Sequence, residues 1–181
     1  MTLVTVAPEP MDATDLDATD LTVVEAQLGR RPRGARAVAH RCPCGLPDVV
    51  ETSPRLPDGT PFPTLYYLTC PRATAAVSAL ESSGLMRRMS ARLAEDADLA
   101  ESYRRAHERY LSRRAEIGRV AEIDGVSAGG MPSRVKCLHV HLAQTLAQGP
   151  DVNPFGDQTY DRVAPWWTDG PCVDVAPPAP P

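Results

Sequence analysis

Pro63 and Cys70-Pro71 bracket the six residues Thr64-Leu65-Tyr66-Tyr67-Leu68-Thr69, and this segment divides the chain into two kinds of structure. Its β-branched and aromatic residues suit a pleated surface, and the flanking prolines stop it from extending, so it reads as a strand. Before it lie two weaker strand patterns, Ala35–Arg41 and Leu46–Thr52, joined by the turn Cys42-Pro43-Cys44-Gly45. Ser53–Pro63 is a loop with four prolines and an Asp58-Gly59 turn signal. After it the pattern becomes helical. Ala73–Ser82 and Leu85–Ala94 are short amphipathic segments, and Asp98 starts a longer one to Ile117. In that helix Leu99, Tyr103, Ala106 and Tyr110 share a face. Pro132 opens a last helix to Gln148. Upstream, Asp20 caps a short helix to Leu28, with Gly29 as its stop. Strands followed by helices predict an α+β fold: a small antiparallel three-stranded sheet packed with about four to five helices.

Charge divides the chain differently. Residues 1–20 carry five acids and no base, and residues 151–181 carry five acids and only Arg162. The stretch between holds 18 bases against 13 acids, a net of +5 inside a chain of net −4. The predicted layout is a disordered acidic tail over 1–19, a single α+β domain over 20–157 and a Pro-rich tail over 158–181. The basic middle suits an ordinary solvated surface or an anionic ligand. No apolar run approaches membrane-spanning length, and the N-terminus has no signal-peptide pattern, so a cytoplasmic protein is expected.

Five cysteines without an export signal point to metal or thiol chemistry, or to small buried hydrophobes, before disulfides. Arg134-Val135-Lys136-Cys137-Leu138-His139-Val140-His141-Leu142 concentrates one cysteine and two of the four histidines. On a helix Cys137 and His141 share a face, while His139 points about 200° away. In an up-down-up sheet, Cys42 and Cys70 end strands at the same edge, two strand spacings or about 10 Å apart. A thiolate and imidazole set suits zinc. The candidate ligands are Cys42, Cys70, Cys137 and His141, with Cys44 and His139 as substitutes. An iron–sulfur cluster is a further option. In a catalytic reading Cys137 is the nucleophile and His141 or His139 its base. Arg134, Lys136, Gly129 and Gly130 then form an anion site before the helix.

Pro61-Phe62-Pro63-Thr64-Leu65-Tyr66-Tyr67-Leu68-Thr69-Cys70-Pro71, together with Arg134–Ala143, resembles the uncharacterised bacterial family labelled domain of unknown function 501, typical of actinobacteria. The resemblance spans about residues 20–157 and includes Asn153-Pro154-Phe155-Gly156, Cys42 and the Ala106-His107 pair. It implies no reaction. Three functions are therefore open: a zinc-stabilised binding or regulatory protein, an enzyme acting on a phosphorylated or otherwise anionic small molecule, and nucleic-acid binding through the arginine-rich segments.

Overall fold

The computed structural model describes residues 13–175. The tail expectations for residues 1–12 and 176–181 lie outside the described residues. Four strands form one antiparallel sheet in the order β1-β2-β3-β4, with β1 Thr14–Asp15, β2 Ala35–Arg41, β3 Pro47–Thr52 and β4 Tyr66–Leu68. Among the described residues six helices accompany it: α1 Ala18–Leu28, α2 Pro71–Ser82, α3 Leu85–Glu95, α4 Ala97–Ile117, α5 Leu138–Gln148 and α6 Pro154–Val163. The α+β class holds, with one strand and one helix more than the sequence patterns predict.

The added strand falls in the stretch read as a disordered tail. β1 is two exposed residues pairing Thr14 with Val38 and Asp15 with Ala37, too short for any periodic signal. The added helix, α6, begins with Pro154 and Gly156, which read locally as loop residues. Asn153 starts it: its Oδ1 accepts the Phe155 and Gly156 N–H groups, each at 3.1 Å.

Two helix starts also shift for a physical reason. Asp17, not Asp20, caps α1, accepting the Asp20 N–H at 2.7 Å. Asp20 is buried and bound by both terminal nitrogens of Arg41, at 2.8 and 2.6 Å, which ties α1 to the end of β2. Asp96, not Asp98, caps α4 through the Leu99 N–H at 2.9 Å.

α5 is the centre of the core. Leu138, Leu142 and Leu146 are fully buried, and so are His141 and Gln144. Fully burying each leucine contributes about 1.5–3 kcal/mol. α5 packs on all three long strands and on α2 and α6. Its crossing with α6 is close: a Cβ at Gly156 would lie 2.2 Å from both the His141 carbonyl oxygen and Thr145 Oγ1. Glycine is what permits the approach. α4 lays Leu99, Tyr103, Ala106 and Tyr110 against this core, as its spacing predicts. One turn further, Arg114 is buried too. It donates to the carbonyls of Pro63, Val126 and Ile123 at 3.0, 2.6 and 2.7 Å.

Candidate metal centre

The last core helix starts at Leu138, six residues later than Pro132 suggests. The N–H groups a helix would need are used in the preceding loop. Arg134 N–H donates to the Gly130 carbonyl at 3.1 Å and Lys136 N–H to the Gly129 carbonyl at 2.7 Å. Val135 N–H donates to Ser90 Oγ at 2.9 Å. Gly129 and Gly130 have φ of 69° and 92°, and a Cβ on either would strike a neighbour at 2.7 Å, His141 Cε1 and the Arg134 carbonyl respectively. Cys137 is the extended N-cap residue, with φ −152° and ψ 109°.

That one extended residue changes the phase of the whole motif. Cys137 is not on the helix, so the predicted pairing of Cys137 with His141 across one turn does not form. His139 turns back toward Cys137 instead, with Sγ 3.8 Å from Nδ1. His141 points into the core. Asn153 fixes its protonation: with Oδ1 capping α6, the Asn153 Nδ2 group donates to His141 Nδ1 at 3.2 Å and to Gln144 Oε1 at 2.9 Å. His141 Nε2 therefore carries the hydrogen and donates to the Tyr103 oxygen at 3.0 Å. Tyr103 O–H in turn donates to the Arg134 carbonyl at 2.9 Å. Burial pushes the His141 pKa down to about 4, so the ring is neutral. Both nitrogens of His141 are thus engaged, with Asn153 and Tyr103.

Glu81, near the end of α2, completes the pair at Cys137 and His139. Its Oε1 accepts the Leu138 N–H at 2.6 Å, capping α5 from another helix, and lies 3.1 Å from His139 Nδ1. His139 Nε2 is 3.2 Å from the Thr74 carbonyl and 3.3 Å from Ser78 Oγ. A carbonyl can only accept, so Nε2 carries a hydrogen and Nδ1 is the atom presented to Cys137 and Glu81. The hydrogen bond with Cys137, opposed by burial and helped by the Glu81 charge, raises the His139 pKa to about 9. Among the described residues, Glu81, Cys137 and His139 are the group whose ligand atoms all lie within 4.8 Å of one another. All three are partly exposed.

Residues 38–161, more than half of the chain, match the family described as a protein of unknown function, DUF501. The chain belongs to this family. All three members of the group fall inside the matched DUF501 region. No curated protein and no solved structure matches the chain.

The other sequence candidates of this DUF501 protein lie apart from that group. Cys42 is buried just after the end of β2. Burial pushes its pKa up to about 12. Cys70 is the buried N-cap residue of α2. β2 and β4 flank β3, so their ends are separated by about 10 Å. Cys70 also precedes Glu81 by three turns of α2, roughly 16 Å. Among the described residues, Cys42, Cys70, Cys137 and His141 therefore do not meet as one ligand set.

Gly129, Gly130, Arg134, Lys136 and Cys137 line an open cavity of about 500 Å³. Neither Arg134 nor Lys136 forms an ion pair among the described residues. The outer arginines of α4 are more engaged. Arg104 and Arg105 pair with Glu101, and Arg113 pairs with Glu51 and Glu116. His107 Nδ1 lies 2.8 Å from Ser127 Oγ. No helix among the described residues is long and apolar enough to cross a membrane.

Proposed function

We propose that this protein binds a zinc ion through Glu81 carboxylate, Cys137 Sγ and His139 Nδ1, in a binding or regulatory role. The observation that carries this reading is the convergence of the three donor atoms, together with the Thr74 carbonyl on the far nitrogen of His139. A backbone acceptor on the second ring nitrogen is the usual support for a metal-bound imidazole, because it fixes the tautomer and the ring plane. One thiolate, one imidazole and one carboxylate suit zinc, and a single thiolate does not suit an iron–sulfur cluster. Three protein ligands leave a fourth position, and Cys137 also lines the cavity with Arg134 and Lys136.

Elemental analysis and calorimetric titration of the purified protein test this. One equivalent of zinc is expected, with affinity reduced at least tenfold in Glu81→Gln and lost in Cys137→Ser and His139→Ala. Cys42→Ser should bind as the parent does. Folded parent protein that takes up no zinc, or Cys137→Ser that retains it, would refute the assignment.

A second reading rests on the same cavity. Cys137 faces His139 at 3.8 Å and opens toward two cationic side chains, the arrangement of a thiol nucleophile beside an anionic substrate. Zinc-free protein that turns over an activated phosphate ester or thioester, with turnover abolished in Cys137→Ser, would favour it over zinc binding.

A further inference from the structure

A second open cavity, of about 600 Å³, lies between the sheet, α4 and the end of α5. That volume falls within the roughly 300–1,000 Å³ of small-molecule sites. Glu51 of β3 and Tyr66 of β4 are directly opposed in the sheet, so both side chains meet the cavity from one sheet face. Tyr110 holds the Tyr66 ring edge-on, with centroids 5.9 Å apart. Ala39 and Ala147 complete the wall, and their short side chains leave the space open. Gln148, which also lines it, ends the helix that begins at Leu138 beside Cys137, roughly 15 Å away along α5.

The charges around this cavity are unequally held. Glu51 is 1% exposed and is satisfied by two guanidiniums. Arg113 donates to it from Nε at 2.8 Å and from Nη2 at 3.2 Å, and Arg36 donates from Nη1. This two-pronged grip fixes the guanidinium plane of Arg113. The third nitrogen, Nη1, donates to Glu116 at 2.9 Å. Glu116 is 60% exposed, and an exposed pair of this kind is weak. Arg109 lies one turn earlier on α4, is exposed, and lines the cavity. The residues three and four positions from it are Arg105, Ala106, Ser112 and Arg113, so its own helix offers it no acid. Arg104, Arg105 and Arg113 each pair with a glutamate, whereas Arg109 has no ion pair among the described residues. Arg36, Arg109 and Arg113 thus outnumber Glu51 and Glu116, and the unmatched charge is on the open side.

We propose that this cavity binds a small organic phosphate, with Arg109 and Arg113 Nη1 as donors to the phosphate oxygens and Tyr66 beside the organic part. The site is separate from the zinc site proposed above and does not depend on it. Glu51 is a positioning residue: it orients Arg113 while leaving Nη1 for the ligand. The incoming phosphate replaces Glu116 on that nitrogen. Planar guanidiniums match the spacing of phosphate oxygens, and two of them one helical turn apart suit a dianion. The recess between sheet and helix favours a compact ligand over a nucleic-acid strand, which is held along many successive phosphates.

Calorimetric titration of the full chain tests this, with inorganic phosphate and phenyl phosphate as probes at low ionic strength, where charge is least screened. Both should bind, the ester more tightly because its ring packs on Tyr66 and the alanines. Arg109→Ala, at an exposed position that should not disturb folding, should weaken phenyl phosphate about tenfold. Glu116→Gln removes the competing carboxylate and should strengthen it about threefold. Arg105→Ala on the same helix, and Arg134→Ala at the Cys137 cavity, should bind as the parent does. Parent protein that binds neither probe, or Arg109→Ala that binds like the parent, overturns the proposal. So does equal weakening in Arg105→Ala, which would mark a diffuse basic surface, or in Arg134→Ala, which would place the anion at the other cavity. A single-stranded oligonucleotide that displaces phenyl phosphate through Arg109 would overturn the ligand class.

Discussion

Asn153 offers the sharpest test of the buried hydrogen-bond chain, because two substitutions should act in opposite ways on its pH dependence. Asn153→Ala removes the cap of α6, at a cost of about 1 kcal/mol. It also strips the donor from two buried acceptors, His141 Nδ1 and Gln144 Oε1, at about 1–3 kcal/mol each. The expected loss is about 3–7 kcal/mol. Asn153→Asp keeps the cap, since its carboxylate still accepts from Phe155 and Gly156 N–H. It turns the donor toward His141 into an acceptor, so at pH 8 two lone pairs face each other. Protonating His141 relieves this. In the parent chain the folded His141 pKa, about 4, lies below its unfolded value of 6.5. Stability from this group is thus present above pH 6.5 and is lost as pH falls toward 4, by about 3 kcal/mol at most. In Asn153→Asp the folded pKa rises above 6.5, and the contribution is present below pH 6.5 and lost as pH rises. Urea melts at pH 8 and pH 5.5 read both slopes. Parallel profiles for parent and Asn153→Asp would show that the tautomer assignment, and with it the chain to Arg134, is wrong.

Two further outcomes follow from the packing. Gly156→Ala places a methyl 2.2 Å from the His141 carbonyl, over 1 Å inside ordinary contact, and should lower stability by about 3 kcal/mol or more, read as a drop in melting temperature. An unchanged melt would mean that α5 and α6 can separate freely. Arg114→Met leaves the buried Ile123 carbonyl, and two part-buried ones, without their donor and should cost about 1–3 kcal/mol by urea unfolding, and a cost under 1 kcal/mol would mean that water replaces the guanidinium.

The strands β2 to β4 and the helices α2 to α4 are legible in sequence because each carries its own period and its own punctuation. α6 is not, because Pro154 and Gly156 look like breakers when read locally. Asn153 as cap and Pro154 in the first turn were the available signal for a helix start. The glycine is explained only by the neighbour it admits. The candidate site was half legible. The concentration of Cys137, His139 and His141 marked the right stretch. Which histidine meets Cys137 depended on one extended residue at the helix boundary, and boundaries are set by tertiary bonds such as Val135 to Ser90. Glu81 left no trace. A lone acid on an exposed helix acquires meaning only when α2 lies across the start of α5.

The position of α5 in the chain bears on how the protein is made. The sheet is complete by Leu68, but the helix that covers its apolar face ends at Gln148. At about 5–20 residues per second of synthesis, the nascent sheet waits roughly 4–16 s for its cover. Val49 and Leu68, later sealed in the core, are open to other chains during that interval. Yield in cells should then depend on elongation rate and chaperone supply more than on the stability of the finished fold.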